Sequence, residues 1–332
     1  MLTVGLIGAG RIGRVHASTI VQDEGSQLVA VADSVDENAK NLAKLYKVNP
    51  RSVDAIFEDN SIEAILIASS TDTHSDFIEK ASIAGKAILC EKPVDLSLAR
   101  AKRCLENTKS NEHSIMMGFN RRFDPNFVAL KNALDGGEIG TAELLSITSF
   151  DPAPPPIDYV KVSGGIFKDM MIHDFDMANF LYGELPKSIF VYASAIVDKK
   201  IGALGDYDTA VATLKYRDGR LAVIKNSRRA TYGYDQRIEV LGSKGLLQVQ
   251  NMVENCIVKS TEMGVESSKP EYFFLERYKS AYQNEWAAFV TAVKTKTPMP
   301  VSLSDGIAAL AIAEAAAASA EMGSEVEIAN FL

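Results

Sequence analysis

The chain begins with a short apolar run, Leu2 to Ile7, that passes directly into Gly8-Ala9-Gly10-Arg11-Ile12-Gly13. From Arg11 to Val21 apolar residues recur at helical spacing, so the order reads strand, tight turn, helix. In that setting the first glycine permits the turn, the second lets another group approach the backbone, and the third lets helix and strand pack closely. The helix N-terminus then points its free N–H groups at an anion, which is the geometry that holds a pyrophosphate. A second apolar run, Leu28 to Ala32, ends in Asp33, about 20 residues past the last glycine, where a carboxylate accepts hydrogen bonds from an adenosine ribose. Gly8, Gly10, Arg11, Ile12, Gly13 and Asp33 are therefore the expected dinucleotide cradle. Asp33 repels a 2'-phosphate; Arg11 offsets part of that repulsion, but Ser34 places no cation beside the acid, so NAD is expected over NADP.

The alternation continues. A helix is predicted from Glu37 to Tyr46, a strand from Ala64 to Ala68, a helix from His74 to Ala84, a strand from Ala87 to Cys90, a helix from Leu98 to Thr108 and a strand from Ser114 to Met117. This is the pattern of a doubly wound parallel sheet. From Ala142 onward strands follow one another: Leu144 to Phe150, Ser188 to Val197, Thr209 to Tyr216, Leu221 to Asn226, Arg237 to Leu241 and Leu246 to Val249. Asp218-Gly219 and Ser243-Lys244-Gly245 fall where hairpin turns belong. The expected fold is α/β, with an N-terminal Rossmann domain over residues 1–119 and a C-terminal α+β domain with an open, mainly antiparallel sheet over residues 120–332. Two helices, Tyr282 to Lys294 and Ser304 to Glu321, are expected to close the chain and pack back near the domain junction. Pro152-Ala153-Pro154-Pro155-Pro156 must be a stiff extended loop. An open sheet has to cover its outer face, and burial against a second copy is the simplest means, so an oligomer is expected.

Composition narrows the class. With 332 residues, 47% hydrophobic and 23% charged, the chain can bury a large core. No stretch is read as membrane-spanning, because the most apolar segment, Gly306 to Ala320, is mostly alanine and is interrupted by Glu314. No cationic segment followed by an apolar core marks a secretory signal. The three cysteines, Cys90, Cys104 and Cys256, show no disulfide or metal spacing, which suits a reducing cytoplasm. A net charge of −8 argues against nucleic acid as a partner. Arg121-Arg122 and Arg228-Arg229 are pairs, not a patch.

In open α/β sheets the ligand lies beyond the carboxyl ends of the strands. That rule selects the glycine turn, Ser69 to His74, Glu91-Lys92-Pro93 and Gly118 to Arg122. Pro93 restricts Lys92 to an extended backbone, which aims its ammonium into the cleft, where it can hold a hydroxyl and stabilise alkoxide character. The plain alternative is a solvated lysine at a turn. Asp169 and His173 lie four apart in Phe167 to Leu181, read as an amphipathic helix, so the carboxylate can orient the imidazole for proton transfer. A structural histidine with a carboxylate neighbour is the plain alternative there; Gly164-Gly165 upstream, which permits close ligand approach, favours the chemical one. A metal reading is weaker, because Asp174 and Asp176 point away from that face and no second histidine is in range. His74, beside Thr71, is expected to touch the nicotinamide ribose, whereas His16 and His113 are expected on surface or helix positions without a chemical role. Together the segments predict hydride transfer at a hydroxyl-bearing carbon.

These motifs, in this order, carry a resemblance. Gly8 to Gly13, Glu91-Lys92-Pro93, Gly118-Phe119-Asn120-Arg121-Arg122-Phe123-Asp124 and Gly164 to Asp169 running to His173-Asp174-Phe175-Asp176 resemble the glucose-fructose oxidoreductase / inositol dehydrogenase / rhizopine catabolism family, across essentially the whole length, and most of all its inositol-oxidising members. The resemblance implies NAD-dependent oxidation of myo-inositol to 2-keto-myo-inositol, by a homotetramer assembled through the open sheet. It makes Lys92, Asp169 and His173 the catalytic residues, adds Ser70, Thr71, His74, Glu91, Lys92 and Asn120 to the cofactor site, and sets Arg121 and His173 against the polyol. Asp151, Tyr159 and either Tyr232 or Tyr234 fall in segments that line the substrate pocket of relatives. Other sugars or cyclitols, scyllo-inositol among them, remain open as substrates, as does a non-catalytic NAD-sensing regulator.

Overall fold

In the computed structural model, which describes residues 1–332, the chain alternates strand and helix from its start. The elements are β1 (Leu2–Ile7), α1 (Arg11–Gln22), β2 (Ser26–Ala32), α2 (Asp36–Tyr46), β3 (Asn49–Pro50), α3 (Val53–Glu58), β4 (Ala64–Ile67), α4 (His74–Ile83), β5 (Ala87–Glu91), α5 (Leu98–Thr108) and β6 (Ile115–Gly118). The strands form one six-stranded sheet in the order β3-β2-β1-β4-β5-β6, every pair parallel. Such a sheet is covered on both faces, and accordingly all four residues of β4, Ala64 to Ile67, are fully buried. Helix starts are set by side chains that take orphan N–H groups: Ser52 accepts from Ala55 N and Ser97 from Arg100 N. The strand order reverses between β1 and β4, so the crevice at their carboxyl ends is the topological switch point where ligands of this architecture bind.

The next stretch begins with α6 (Pro125–Asp135), capped by Asp124, whose carboxylate accepts from the N–H groups of Asn126 and Phe127. It continues through β7 (Ala142–Phe150), α7 (Ile157–Ser163), a π-helical turn (Phe167–Met171), α8 (Ile172–Tyr182), β8 (Ser188–Ser194), α9 (Lys199–Ala203), β9 (Thr209–Lys215), β10 (Leu221–Ser227), β11 (Asp235–Gly242) and β12 (Gly245–Val249). A hairpin of β13 (Val258–Thr261) and β14 (Gly264–Ser267) follows, then α10 (Phe274–Arg277), α11 (Lys279–Thr295), α12 (Leu303–Met322) and β15 (Val326–Glu327). Seven strands make the second sheet, ordered β12-β11-β7-β10-β9-β8-β15. All its pairs are antiparallel except β7 with β10, which run parallel, so the sheet is mainly antiparallel, as expected, with one parallel pair near its middle.

By internal contacts the chain divides into Met1–Phe123 with Ser280–Leu310, and Asp124–Lys279 with Ala311–Leu332. In the first unit α11 lies against β2, where the Trp286 indole N–H donates to Ser26 Oγ at 2.8 Å. The start of α12 is equally close to its neighbours: a Cβ at Gly306 would meet Val94 Cγ2 at 2.8 Å, so only glycine fits. In the second unit the rest of α12 packs on β8, where Ser319 Oγ accepts from Val191 N, while Glu314 pairs with Lys168 at 2.8 Å. By length and mean hydropathy, 1.3, α12 would pass for a membrane span, but 61% of that apolar window is buried inside the protein, as in a core helix.

Candidate active site

At the switch point of the first unit the three glycines are demanded by contact distances. Gly8 has φ +104°, and a Cβ there would lie 2.2 Å from Ala68 O; a Cβ on Gly13 would lie 2.0 Å from Gly8 O. Gly10 is different, since a Cβ there would meet nothing within 4 Å. Its backbone faces open space at the N-terminus of α1, as a pyrophosphate cradle requires. Asp33, at the end of β2, accepts from Ala9 N on one oxygen at 2.6 Å and from Val35 N on the other at 2.8 Å. The carboxylate is thereby locked against the glycine turn, and each oxygen keeps a lone pair for a ribose hydroxyl. Arg11 and Ile12 open α1 beside it. Ser70 and Thr71 follow β4, Glu91 ends β5 and Lys92 follows it, and Asn120 and Arg121 follow β6, all on the same carboxyl edge of the sheet. Asn120 is buried, and its Nδ2 has no hydrogen-bond partner, which suits a donor reserved for a ligand. These features fit a bound dinucleotide.

Behind that edge lies a cluster that local patterning does not reveal. His16 lies on a helix, α1, one of its two expected places, but is only 1% exposed, and its Nε2 lies 2.7 Å from Glu91 Oε1. The other Glu91 oxygen accepts from Lys92 N at 3.3 Å, so the base of Lys92 is tied to the same carboxylate. The Lys92–Pro93 peptide is cis. His74 is also buried, with Nδ1 2.7 Å from Pro93 O and Nε2 3.2 Å from Ser69 O. Burial pushes its pKa below the usual histidine value, against the two carbonyl contacts that raise it. The ring thus stands between backbone carbonyls of the loops that follow β4 and β5. Glu285, from α11, is fully buried with no partner for either carboxyl oxygen. Burial, and then the charge of Glu91, push its pKa well above the ordinary 4.5.

In the second unit Asp169 sits on the π turn, not in a plain amphipathic helix; α8, which follows, is buried on nearly every side. Its Oδ1 accepts from the Tyr159 hydroxyl at 2.8 Å, and its Oδ2 faces both Nη1 and Nη2 of Arg228 at 3.2 Å. Arg228 is the residue sequence reasoning passed over as half of a basic pair. It follows the end of β10, is 1% exposed, and has Asp169 as its side-chain partner. Asp151 joins this region through its backbone, donating N–H to Ser227 O and accepting from Ala230 N. His173 falls in the first turn of α8, four residues beyond Asp169. Asp174 faces the sheet, accepting from Ser149 Oγ at 2.6 Å and Asn226 Nδ2 at 2.7 Å. Tyr232 is 45% exposed and donates its hydroxyl to Asp235, while Tyr234 is buried with its ring edge-on to Tyr278 and Phe273.

A parallel sheet with a glycine cradle and a lysine at a strand end, followed by a second α/β unit with a mostly antiparallel sheet, is the architecture of an NAD-dependent oxidoreductase. The chain belongs to the GFO/IDH/MocA family: the oxidoreductase family with NAD-binding Rossmann fold matches residues 2–119, and the GFO/IDH/MocA C-terminal domain matches residues 127–248. It is 47% identical over 325 residues to the inositol 2-dehydrogenase of Rhizobium meliloti (strain 1021), covering 98% of each chain. It is 44% identical over 329 residues to the myo-inositol 2-dehydrogenase of Thermotoga maritima, again covering 98% of each. The crystal structure of myo-inositol dehydrogenase from Lactobacillus casei in complex with NAD(H) and myo-inositol matches with a TM-score of 0.89 at 27% identity, covering 98% of this chain and 96% of that one.

The state of Glu285 has a measurable sign. A carboxyl whose folded pKa lies above its unfolded value binds more protons folded than unfolded, so its contribution is most favourable below about pH 4.5 and declines as pH rises toward the folded pKa. Glu285→Gln, which keeps the neutral shape, should therefore match wild type in denaturant unfolding near pH 4.5. Above that it should become more stable, by up to about 1.4 kcal/mol per pH unit within the window. A gain that is absent at pH 8, or largest at low pH, contradicts a neutral Glu285.

Proposed function

We propose that the protein oxidises the 2-hydroxyl of myo-inositol to 2-keto-myo-inositol with NAD, and that it works in the cytoplasm. The observation that carries this reading is the near-full-length similarity to inositol 2-dehydrogenases, because Lys92, Asp169 and His173 all fall within it. NAD, when bound, accepts the hydride from the carbinol carbon. Lys92 donates a hydrogen bond to the hydroxyl and stabilises the oxygen as negative charge develops there. His173 takes the hydroxyl proton, with Asp169 orienting its ring. Asn120 faces the nicotinamide. Arg121, Asp151, Tyr159 and one of Tyr232 and Tyr234 hydrogen-bond the remaining hydroxyls, so a substrate lacking one leaves a buried polar group unpaired. Asp33 favours NAD over its 2'-phosphorylated form.

Steady-state rates of NADH formation with myo-inositol, scyllo-inositol and glucose, each with NAD and NADP, test this directly. The fastest turnover is expected with myo-inositol and NAD. Cofactor binding without its reduction on any polyol would instead make the protein an NAD-sensing regulator. Lys92→Ala and His173→Ala should each lower kcat by about 10²- to 10⁴-fold, as loss of an acid–base group does, with NADH affinity measured by fluorescence retained. Wild-type turnover in either variant contradicts the assignment.

We also propose a homotetramer built through the open face of the second sheet. Supporting it, Leu246, Leu241, Leu144 and Leu221 stand opposite one another across four neighbouring strands, and each is between 38% and 46% exposed. Such a row of large apolar side chains on water is an association surface. Leu144→Asp should sediment as a smaller species than wild type; an unchanged sedimentation coefficient rules this face out.

A further inference from the structure

Arg228 has no solvent to justify its charge. A guanidinium this deep is held only where a partner compensates it, and Asp169 is that partner. Its backbone is fixed as well, with Arg228 N donating to Asp208 O at 2.8 Å. Asp208 is itself immobilised, since its carboxylate accepts from the N–H groups of Ile196, Val197 and Asp198 and from Thr209 Oγ1. The cation is therefore set at a rigid root and aimed at one oxygen of Asp169, while Tyr159, from α7, holds the other oxygen. Asp169 needs such bracing because its own backbone does not supply it: π-helical turns are wider and rarer than α turns, and they recur at functional sites. The neighbouring charges on the same segment are turned elsewhere, Lys168 to Glu314 and Asp174 to Ser149 and Asn226.

We propose that Arg228 is a positioning residue for the reaction, acting only through Asp169: it fixes the carboxylate that orients His173 and touches no substrate atom. This rests on the roles given above to Asp169 and His173. A displaced orienting carboxylate leaves the imidazole misaimed, so the loss belongs in turnover and not in binding.

A double-mutant cycle in the full-length protein separates the possibilities, with kcat and KM for myo-inositol and NADH affinity measured for Arg228→Met, Arg228→Lys, Asp169→Asn and the Met/Asn double variant. Arg228→Met is expected to lower kcat by about 10- to 100-fold, the scale of a misplaced catalytic group, with KM and NADH affinity within about twofold. Arg228→Lys, which keeps the charge, should recover part of that loss. In the Asp169→Asn background Arg228→Met should add less than about twofold, because the two residues act as a unit. Should Arg228→Met not fold, Arg228→Lys carries the same test through its kcat loss at unchanged KM. The proposal is overturned if the two single losses multiply in the double variant, or if the loss lies in KM. If Asp169→Asn and His173→Ala both retain wild-type kcat, the reading of the active site fails instead.

Discussion

Everything in the first unit depends on how closely the turn after β1 approaches the end of β4. Ala68 O lies where the Cβ of any residue but glycine at position 8 would have to be, and Gly8 O does the same for position 13. That contact lets α1 start immediately at the switch point of the sheet, with Gly10 presenting bare backbone outward. Once α1 is so placed, His16 comes under the end of β5 and meets Glu91, and the root of Lys92 hangs from the same carboxylate. Two glycines at the head of the chain thus fix the location of a lysine about 80 residues later, through one helix and one buried hydrogen bond.

The second unit solves a different problem, that of keeping charge inside a sheet-backed core. Its buried charges are tied to donors or counter-charges from separate elements: Asp174 to β7 and β10, Asp208 to the loop after β8, Arg277 to Asp124, and Arg228 to Asp169. Groups held this way are expensive to move, because breaking a buried pair leaves an uncompensated charge. The π turn that carries Asp169 is therefore a local irregularity enclosed in a rigid polar frame. Glu285 is the contrast in the first unit, a carboxyl with no donor at all, and neutrality is the state open to it.

Periodicity in the amino-acid sequence suffices for the parallel sheet, most helix spans and the antiparallel run after residue 142, because apolar repeats at 3.6 and 2 residues are local properties. It does not specify that β7 and β10 pair in parallel, since which strand lies beside which is decided by long-range packing. β15 and the β13–β14 hairpin escape for another reason: β15 has two residues, and the hairpin strands are exposed on both faces, so neither carries an apolar alternation to detect. Residues belonging to a motif can be singled out as candidates from the sequence, as the glycines, Asp33, Lys92, Asp169 and His173 are. His16 and Arg228 are not, because their partners lie 75 and 59 residues away, and Glu285 is not, because its burial is decided by long-range packing. A buried arginine looks in sequence like any surface one.

The central claim is that Lys92 and His173 act on a single alcohol beside the reactive ring of NAD. A crystal structure of the ternary complex with NADH and myo-inositol measures this most directly. Lys92 Nζ and His173 are predicted within about 2.6–3.2 Å of the same inositol oxygen, with the hydrogen on its carbon facing the nicotinamide. A complex in which the two side chains contact different hydroxyls, or in which either one stands clear of the polyol, would contradict the account.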